Sequence, residues 1–179
     1  MQSQKISAGS AFPELLAVDL QGNEHEIGQP TSSDKWRIVL VYRGKHCPLC
    51  TKYLNHLEGF KDRLAENNVE LVAVSADSKE QLEEHLQKLN ISFPIYHGLT
   101  VEKMKELGLY ISIPRSEQET DHLFPEPGMF VVNDSGTVQV VDISNNPFVR
   151  PELESLVSGL EWIRNPDNNY PIRGTYSEH

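Results

Sequence analysis

The first half of the chain shows apolar runs that predict buried strands, separated by segments that predict helices. Residues 36–42, 69–76 and 93–96 are nearly continuous in apolar side chains, as expected of strands covered on both faces. Apolar residues then recur at helical spacing up to about Asn67, and again after a Ser78–Gln81 capping box. The pattern therefore predicts strand, helix, strand, helix, strand.

The second half predicts a long loop, a hairpin and a closing helix. Residues 109–128 show no periodicity, and a loop of that length in a compact domain is usually functional or mobile. Residues 129–133 and 137–143 flank an Asn-Asp-Ser-Gly turn, which predicts a β-hairpin. Pro151 is placed to open the last helix.

This order of elements predicts an α/β fold with a mixed sheet flanked by helices. The first strands must be parallel because helices separate them, whereas the later hairpin adds antiparallel strands. Residues 14–20 and 24–27 predict a short N-terminal β-hairpin as an extension. We expect one domain over residues 1–164 and an irregular C-terminal tail over residues 165–179.

Composition and charge exclude several classes of partner. The 179-residue chain has ordinary hydrophobic content and a formal net charge of −10, which argues against nucleic acid or an anionic membrane surface. No apolar run approaches the length of a membrane span. The N-terminus lacks the pattern of a secretory signal, so we expect a cytoplasmic protein, in which a disulfide is more often transient than structural.

Both cysteines of the chain lie where the first strand gives way to a helix. Cys47 and Cys50 have Cys-x-x-Cys spacing, and Pro48 suits the first helical turn because its missing N–H has no partner there. The positive end of a helix stabilises a thiolate over a thiol. The motif therefore predicts a redox or nucleophilic site.

Two other interpretations of the cysteines stay open, a structural zinc half-site and a pair of inert buried thiols. Zinc needs about four ligands, and His46 and His56 are the nearby candidates. A lone Cys-x-x-Cys beside a strand–helix junction is more typical of a redox pair. We therefore expect neither a metal nor another cofactor.

Five segments resemble one protein family: SAGSAFPELLAVDLQGNEHEI, VLVYRGKHCPLC, VELVAVSAD, PEPGMFVVNDSGTV and NPFVRPELESLV. They are similar to the peroxiredoxin-like branch of the alkyl hydroperoxide reductase and thiol-specific antioxidant (redoxin) family, within the thioredoxin-fold superfamily. The resemblance implies a thioredoxin fold and an antioxidant oxidoreductase that cycles Cys47 and Cys50 between dithiol and disulfide. Its substrate would be a peroxide or a disulfide, and an external thiol or thioredoxin-type donor would supply electrons. A homodimer is compatible with the resemblance.

The resemblance allows two alignments of the cysteine motif. Typical peroxiredoxins carry Pro-x-x-x-Thr-x-x-Cys, which makes Cys50 the attacking residue, with Cys47 in place of the threonine and Arg43 in place of the proline. In the thioredoxin alignment Cys47 attacks first, and Pro127 falls where thioredoxins carry a cis-proline beside the sulfurs. That alignment predicts a cis bond between Glu126 and Pro127.

Other residues are candidates for shaping the site. Arg43 or Arg150 could donate to a peroxide oxygen as charge develops on it, although either could be an ordinary surface charge. An imidazolium at His46 would favour a thiolate at Cys47, unless the ring points away. Residues 111–126 are expected to border the site and help select substrate, unless they form a surface insertion. The alternative to an enzyme is a non-catalytic redox sensor or interaction module.

Overall fold

A computed structural model describes residues 4–178 of the chain. Its strands are β1 Leu16–Val18, β2 Glu24–Glu26, β3 Trp36–Val41, β4 Val69–Val74, β5 Ile95–Tyr96, β6 Ile111–Ser112, β7 Phe124–Pro125, β8 Gly128–Val132 and β9 Val138–Ile143. Its α-helices are α1 Pro48–Glu58, α2 Lys61–Glu66, α3 Lys79–Leu86, α4 Val101–Glu106 and α5 Leu153–Arg164, and a 3₁₀ turn follows at Pro166–Asn168.

Five of the strands form the central sheet, in the order β5-β4-β3-β8-β9. β3 pairs with β4 in parallel, and β4 pairs with β5 in parallel. β8 runs antiparallel to both β3 and β9. The sheet is therefore mixed, as predicted, and it has the arrangement of a thioredoxin fold. The N-terminal hairpin is also confirmed, as β1 pairs antiparallel with β2.

Side chains that alternate along β3 supply two separate hydrophobic cores, one on each face of the sheet. The first core contains the cysteines and joins the sheet to α1, α2 and α5 through Ile38, Leu40, Tyr42, Leu54, Leu57, Leu64, Leu153, Val157 and Leu160. The second core joins it to the N-terminal hairpin and α4 through Leu15, Ala17, Ile27, Val39, Val41, Met104 and Leu107. Successive strand residues point to opposite faces, so one strand can serve both cores.

The helix that follows the cysteine motif ends earlier than the prediction of about Asn67. α1 stops at Glu58, and α2 restarts at Lys61. The amide of Gly59 donates to the carbonyl of His56, and the amide of Phe60 donates to that of Leu57, so the chain tightens into short turns here. Glycine weakens a helix interior by about 1 kcal/mol relative to alanine, which places the break at this residue.

Residues 109–128 are more ordered than the predicted loop. β6 pairs antiparallel with β7, and the amide of Glu126 donates to the carbonyl of Tyr110 at 2.8 Å. Strands of two residues carry no recognisable period, which explains why the sequence pattern missed them. Residues 113–123, which we call the connecting segment, join the two strands.

The last helix begins two residues later than Pro151 suggested. α5 starts at Leu153, and the side chain of Glu152 accepts from the amide of Ser155 at 2.6 Å as the N-cap. Glu152 therefore satisfies a free amide of the first turn, the usual task of an N-cap residue. No helix within residues 4–178 has the length and apolarity needed to cross a membrane.

Candidate thiol redox site

The turn between β3 and α1 places the cysteine motif just beyond the C-terminal end of β3. Gly44 has a φ of +141°, and a Cβ there would lie 2.6 Å from the carboxylate of Asp77. Glycine is therefore required at this turn. Cys47 is then the N-cap of α1 in an extended conformation, and Pro48 is at the start of the helix as predicted.

The two sulfurs lie together in the first turn of α1, as free thiols. The amide of Cys50 donates to the Cys47 sulfur at 3.2 Å, and the two residues are 1% and 0% exposed. A hydrogen bond from the Cys50 thiol, followed by contact with Arg43, lowers the pKa of Cys47 to about 6. Burial, followed by the interaction with the Cys47 side chain, raises the pKa of Cys50. The first proton therefore leaves Cys47.

Arg150 is the guanidinium closest to the Cys50 sulfur. Its Nη2 lies 2.9 Å from the sulfur of Cys50 and 3.9 Å from that of Cys47. Its Nε donates to the carbonyl of Pro147 at 2.7 Å, and its Cζ lies 5.0 Å from the ring centroid of Tyr53. The segment before α5 thus holds a fixed positive charge against the cysteine pair.

Arg43 is the second guanidinium near the pair, and it has a carboxylate partner. Its positive charge lowers the pKa of Cys47, and its Nε lies 3.0 Å from Oε1 of Glu126 without hydrogen-bond alignment. Glu126 is 3% exposed and accepts from the hydroxyl of Ser112 at 2.6 Å. The ring centroid of Phe124 lies 4.9 Å from Cζ of Arg43. These contacts fix the guanidinium in place.

The sequence pattern did not predict that Glu126, Ser112 and Phe124 lie at the site. One signal was available, because Glu126 is the single acidic residue in the otherwise apolar stretch from Leu123 to Val132. A buried charge needs a charged or hydrogen-bonding partner, so such a residue indicates an ion pair. The stretch does border the site, as expected of residues 111–126.

His46 does not supply the imidazolium that was expected to favour the Cys47 thiolate. Burial, then the charge of Arg43, lowers the pKa of His46, so its ring is neutral near pH 7. The ring packs edge-on against Phe124 at 4.5 Å between centroids. Within residues 4–178 neither ring nitrogen has a hydrogen-bond partner. These contacts favour the alternative that His46 does not tune Cys47, and Arg43 is a cation that lowers the pKa of Cys47.

The predicted cis bond before Pro127 is also wrong. No peptide bond within residues 4–178 is cis. The amide of Glu126 donates to Tyr110, and the carbonyl of Pro127 accepts from the amide of Ser144 at 3.0 Å. The chain enters β8 from the paired strand β7 rather than from an open loop. Both backbone groups are thus already paired within the chain and are not free for an extended substrate.

Metal binding gains no support from the side-chain geometry. In the described part of the chain, no group of three or more His, Cys, Asp or Glu side chains could hold a metal ion.

The family model and the sequence relatives that match this chain agree with one another. The model of the AhpC/TSA family matches residues 8–141. The chain is 24% identical to Peroxiredoxin 1 of Picrophilus torridus over 144 residues, which are 79% of this chain and 61% of that protein. It is 27% identical to the thiol-disulfide oxidoreductase ResA of Halalkalibacterium halodurans over 89 residues, 49% of each chain. The chain thus spans less than two thirds of either relative.

Solved structures support the fold. A peroxiredoxin-like protein from Aquifex aeolicus superposes with a TM-score of 0.72 at 14% identity, over 89% of this chain and 88% of that one. AhpC of Mycobacterium tuberculosis superposes with a TM-score of 0.68 at 15% identity, over 92% and 96%. These likenesses confirm the predicted thioredoxin fold.

Proposed function

The chain belongs to the AhpC/TSA family, and from this membership we propose that it is a thiol-dependent peroxidase in which Cys47 attacks and Cys50 resolves. Two observations support this assignment of roles. Cys47 has the lowered pKa, and its sulfur accepts a hydrogen bond from the amide of Cys50 at 3.2 Å. A thiolate attacks a peroxide much faster than a thiol does, so the residue that loses its proton first is the nucleophile.

In the first step the Cys47 thiolate attacks one peroxide oxygen and the O–O bond breaks. The thiolate, ROOH and one proton give Cys47 sulfenic acid and ROH. Negative charge develops on the departing oxygen, and fixed donors in a dry site stabilise such charge strongly. Arg43, which lowers the pKa of Cys47, is the first donor available for this purpose, and Arg150 lies farther away, 3.9 Å from the Cys47 sulfur.

In the second step Cys50 attacks the sulfenic sulfur of Cys47, and a disulfide and water are formed. Cys50 must lose its proton for this attack, and Arg150 at 2.9 Å stabilises the resulting thiolate. An external thiol or thioredoxin-type donor then returns two electrons and two protons to restore the dithiol. A reducing compartment such as the cytoplasm would maintain that donor.

The choice of substrate rests on one observation, that the two sulfurs are deeply buried beside two arginines. Both cysteines are almost fully buried, so a small peroxide can reach Cys47 more readily than the disulfide of a folded protein can. A non-catalytic module would gain nothing from two guanidinium groups held against a thiol pair, because buried cations are costly to desolvate.

The peroxiredoxin alignment, with Cys50 as the attacking residue, is less compatible with this chemistry. The trans bond at Pro127 removes one argument for Cys47, since the thioredoxin alignment predicted cis. The surroundings of the two sulfurs favour Cys47, because Cys47 is the N-cap and its sulfur accepts the amide of Cys50, whereas burial raises the pKa of Cys50.

Disulfide reduction is the second candidate, and two observations favour it. The chain shares 27% identity over 89 residues with ResA, a thiol-disulfide oxidoreductase. Leu49, between the two cysteines, is 43% exposed, so the motif reaches the surface beside the buried sulfurs. In that reaction Cys47 would attack the substrate disulfide and Cys50 would resolve the mixed disulfide.

Steady-state turnover distinguishes these functions. The protein is given dithiothreitol with hydrogen peroxide in one assay and with insulin in another, and the Cys47→Ser/Cys50→Ser double variant is the matched control. We expect many turnovers of peroxide per chain and little insulin reduction above the control. Insulin reduction without peroxide consumption would show that the protein is a disulfide reductase, the second candidate. The absence of turnover in both assays would indicate a non-catalytic module.

A further inference from the structure

The connecting segment, residues 113–123, is fastened to the rest of the molecule mainly around His122. Some of its polar contacts are internal, such as the pair of Arg115 with Glu119 at 3.0 Å. Within residues 4–178, the side-chain hydrogen bonds that leave the segment all end on Asp77 or Gln81. A surface segment with so few outside contacts opens at a small free-energy cost once that fastening is lost.

The middle of the segment is not packed tightly against α3. A cavity of about 350 Å³ lies between them, lined by Ser116 and Glu119 on one side and by His85 on the other. The apolar side chains at the two ends of the segment face solvent, since Ile113 and Leu123 are both exposed. The contacts of His122 therefore contribute much of what holds the segment closed.

Both ring nitrogens of His122 face hydrogen-bond acceptors. Nδ1 lies 2.8 Å from the carbonyl of Leu123, which can only accept. Nε2 lies 3.2 Å from Oδ1 of Asp77 and 3.2 Å from Oε1 of Gln81. That Gln81 oxygen also accepts from the amide of Ser78 at 2.8 Å, which fixes its role as an acceptor. Each nitrogen of the ring therefore needs a proton, and a histidine with two N–H groups is an imidazolium.

The carboxylate of Asp77 joins His122 to the turn that carries Cys47. Its Oδ2 accepts from the amide of Lys45 at 2.9 Å, and its side chain fills the space beside Gly44. The Asp77 side chain is fully buried, and among the described residues His122 is the cation within 4.0 Å of it. A buried charge needs a charged or hydrogen-bonding partner. Loss of the His122 proton therefore weakens the contact between the segment and this turn.

Three other titratable groups lie near this contact. Asp121, on the segment itself, lies 3.9 Å from Nε2 of His122. On the turn before Cys47, His46 is neutral near pH 7 because burial lowers its pKa, and Lys45 directs its ammonium to a carboxylate of α3. The two aspartates are thus the charges that act most directly on the His122 ring, and both favour the imidazolium.

The contact depends on pH in one direction. The hydrogen bond to Asp77 raises the pKa of His122 above the ordinary histidine value of about 6.5. Because the pKa in the folded protein is raised, the contact is fully present below the ordinary value and is lost as the pH rises through the raised one. The segment is therefore fastened at acidic and neutral pH and released at higher pH.

The segment leads directly into a residue that contacts the cysteine site. Phe124 follows His122 by two positions and is 1% exposed. Its ring packs against the ring of His46, which precedes Cys47, at 4.5 Å between centroids, and it lies 4.9 Å from Cζ of Arg43. Release of the segment at His122 frees the chain just before this ring.

Building on the proposed function, we propose that His122 is a positioning residue that sets the size of peroxide the site accepts. As an imidazolium it holds the connecting segment closed beside the turn that carries Cys47. When it loses its proton to solvent, the segment opens and bulky hydroperoxides reach Cys47 more readily. Hydrogen peroxide is small enough to reach the sulfur in both forms, so its reaction does not depend on the opening.

The first test measures opening of the segment without redox chemistry. Trypsin cleaves the reduced full chain after Arg115, whose side chain is 86% exposed, and the initial rate is divided by the rate on a small peptide substrate at the same pH. We expect this ratio to rise about tenfold between pH 6 and 9, because a hydrogen bond to a charged group is lost. Its midpoint should equal the NMR titration midpoint of the His122 ring. A ratio that does not change with pH would overturn the inference.

Three variants separate the proton from a merely structural role. His122→Gln keeps a side-chain donor but does not titrate, so cleavage after Arg115 should become independent of pH. Asp77→Asn keeps an oxygen for the Lys45 amide but removes the charge, so the midpoint should move to lower pH. His25→Gln is the matched control, because His25 pairs with Asp19 at 2.6 Å on the N-terminal hairpin, and it should keep the native profile. A native midpoint in His122→Gln would assign the opening to another group.

The second test compares the rates at which cumene hydroperoxide and hydrogen peroxide oxidise Cys47. Both peroxides meet the same thiolate, so the ionisation of Cys47 cancels in the ratio of the two rates. We expect the ratio of cumene hydroperoxide to hydrogen peroxide to rise with pH at the midpoint found with trypsin, and to stay constant in His122→Gln. A constant ratio in the native protein would overturn the inference. If neither peroxide oxidises Cys47, the proposed function fails, while the trypsin test still decides whether His122 fastens the segment.

Discussion

The two arginines beside the cysteine pair differ in what neutralises them. Arg43 faces the buried carboxylate of Glu126 at 3.0 Å, and it lowers the pKa of Cys47. Arg150 pairs with no carboxylate within residues 4–178, and its Nη2 is closest to the sulfur of Cys50. The comparison suggests a division of labour, in which Arg43 prepares the attacking thiolate and Arg150 supports the resolving thiol.

The largest effect is expected at Arg43. Replacing it with methionine removes a positive charge that lowers the pKa of Cys47, so the rate of the first oxidation at pH 7 should fall about 10²-fold. The reaction rate rises with pH as Cys47 loses its proton and levels off above its pKa of about 6 in the native protein. In the variant this midpoint should move to higher pH. Stopped-flow measurement of peroxide oxidation between pH 5 and 9 gives both quantities.

Arg43→Met also leaves Glu126 as an unpaired buried charge, which destabilises a fold by about 3–5 kcal/mol. Arg43→Met/Glu126→Gln removes both charges and is the matched control for folding. A midpoint near pH 6 in the double variant would show that Arg43 does not prepare the thiolate.

A smaller effect is expected at Arg150, and on a different step. Arg150→Met should slow disulfide closure about tenfold, because the Cys50 thiolate loses a charge-assisted hydrogen bond. The first oxidation should change much less than it does in Arg43→Met. Sulfenic acid would therefore accumulate and be trapped by dimedone. If Arg150→Met slows the first oxidation more than Arg43→Met does, the two arginines do not divide the steps in this way.

The smallest effect is expected at His46. His46→Phe keeps an aromatic ring against Phe124 and removes a ring that is already neutral near pH 7. The midpoint for iodoacetamide reaction of Cys47 should stay close to that of the native protein. A clear rise in that midpoint would restore the imidazolium hypothesis and reduce the part assigned to Arg43.

The sequence predicted the fold well wherever a pattern extends over several residues. The apolar runs gave β3 and β4, the Ser78 capping box gave α3, and the Asn133–Gly136 turn gave the hairpin of β8 and β9. The paired strands β6 and β7 were missed because two residues contain no period.

The candidate site was predictable only where it is local in sequence. The Cys-x-x-Cys spacing and Pro48 placed both sulfurs at the start of α1. Arg150 reaches Cys50 across 100 positions, and Glu126 reaches Arg43 from a separate strand pair. Local patterns cannot show such pairings, and the resemblance to a family suggested them only as candidates.

The central claim, that Cys47 is the residue that attacks, is tested most directly by oxidising each single cysteine variant with one equivalent of hydrogen peroxide at pH 7. Dimedone traps the sulfenic acid, and trypsin releases both motif positions in one peptide, residues 46–52, for mass spectrometry. We predict rapid trapping on Cys47 in Cys50→Ser and little on Cys50 in Cys47→Ser. Rapid oxidation of Cys50 in Cys47→Ser, with Cys47 inert in Cys50→Ser, would contradict the account.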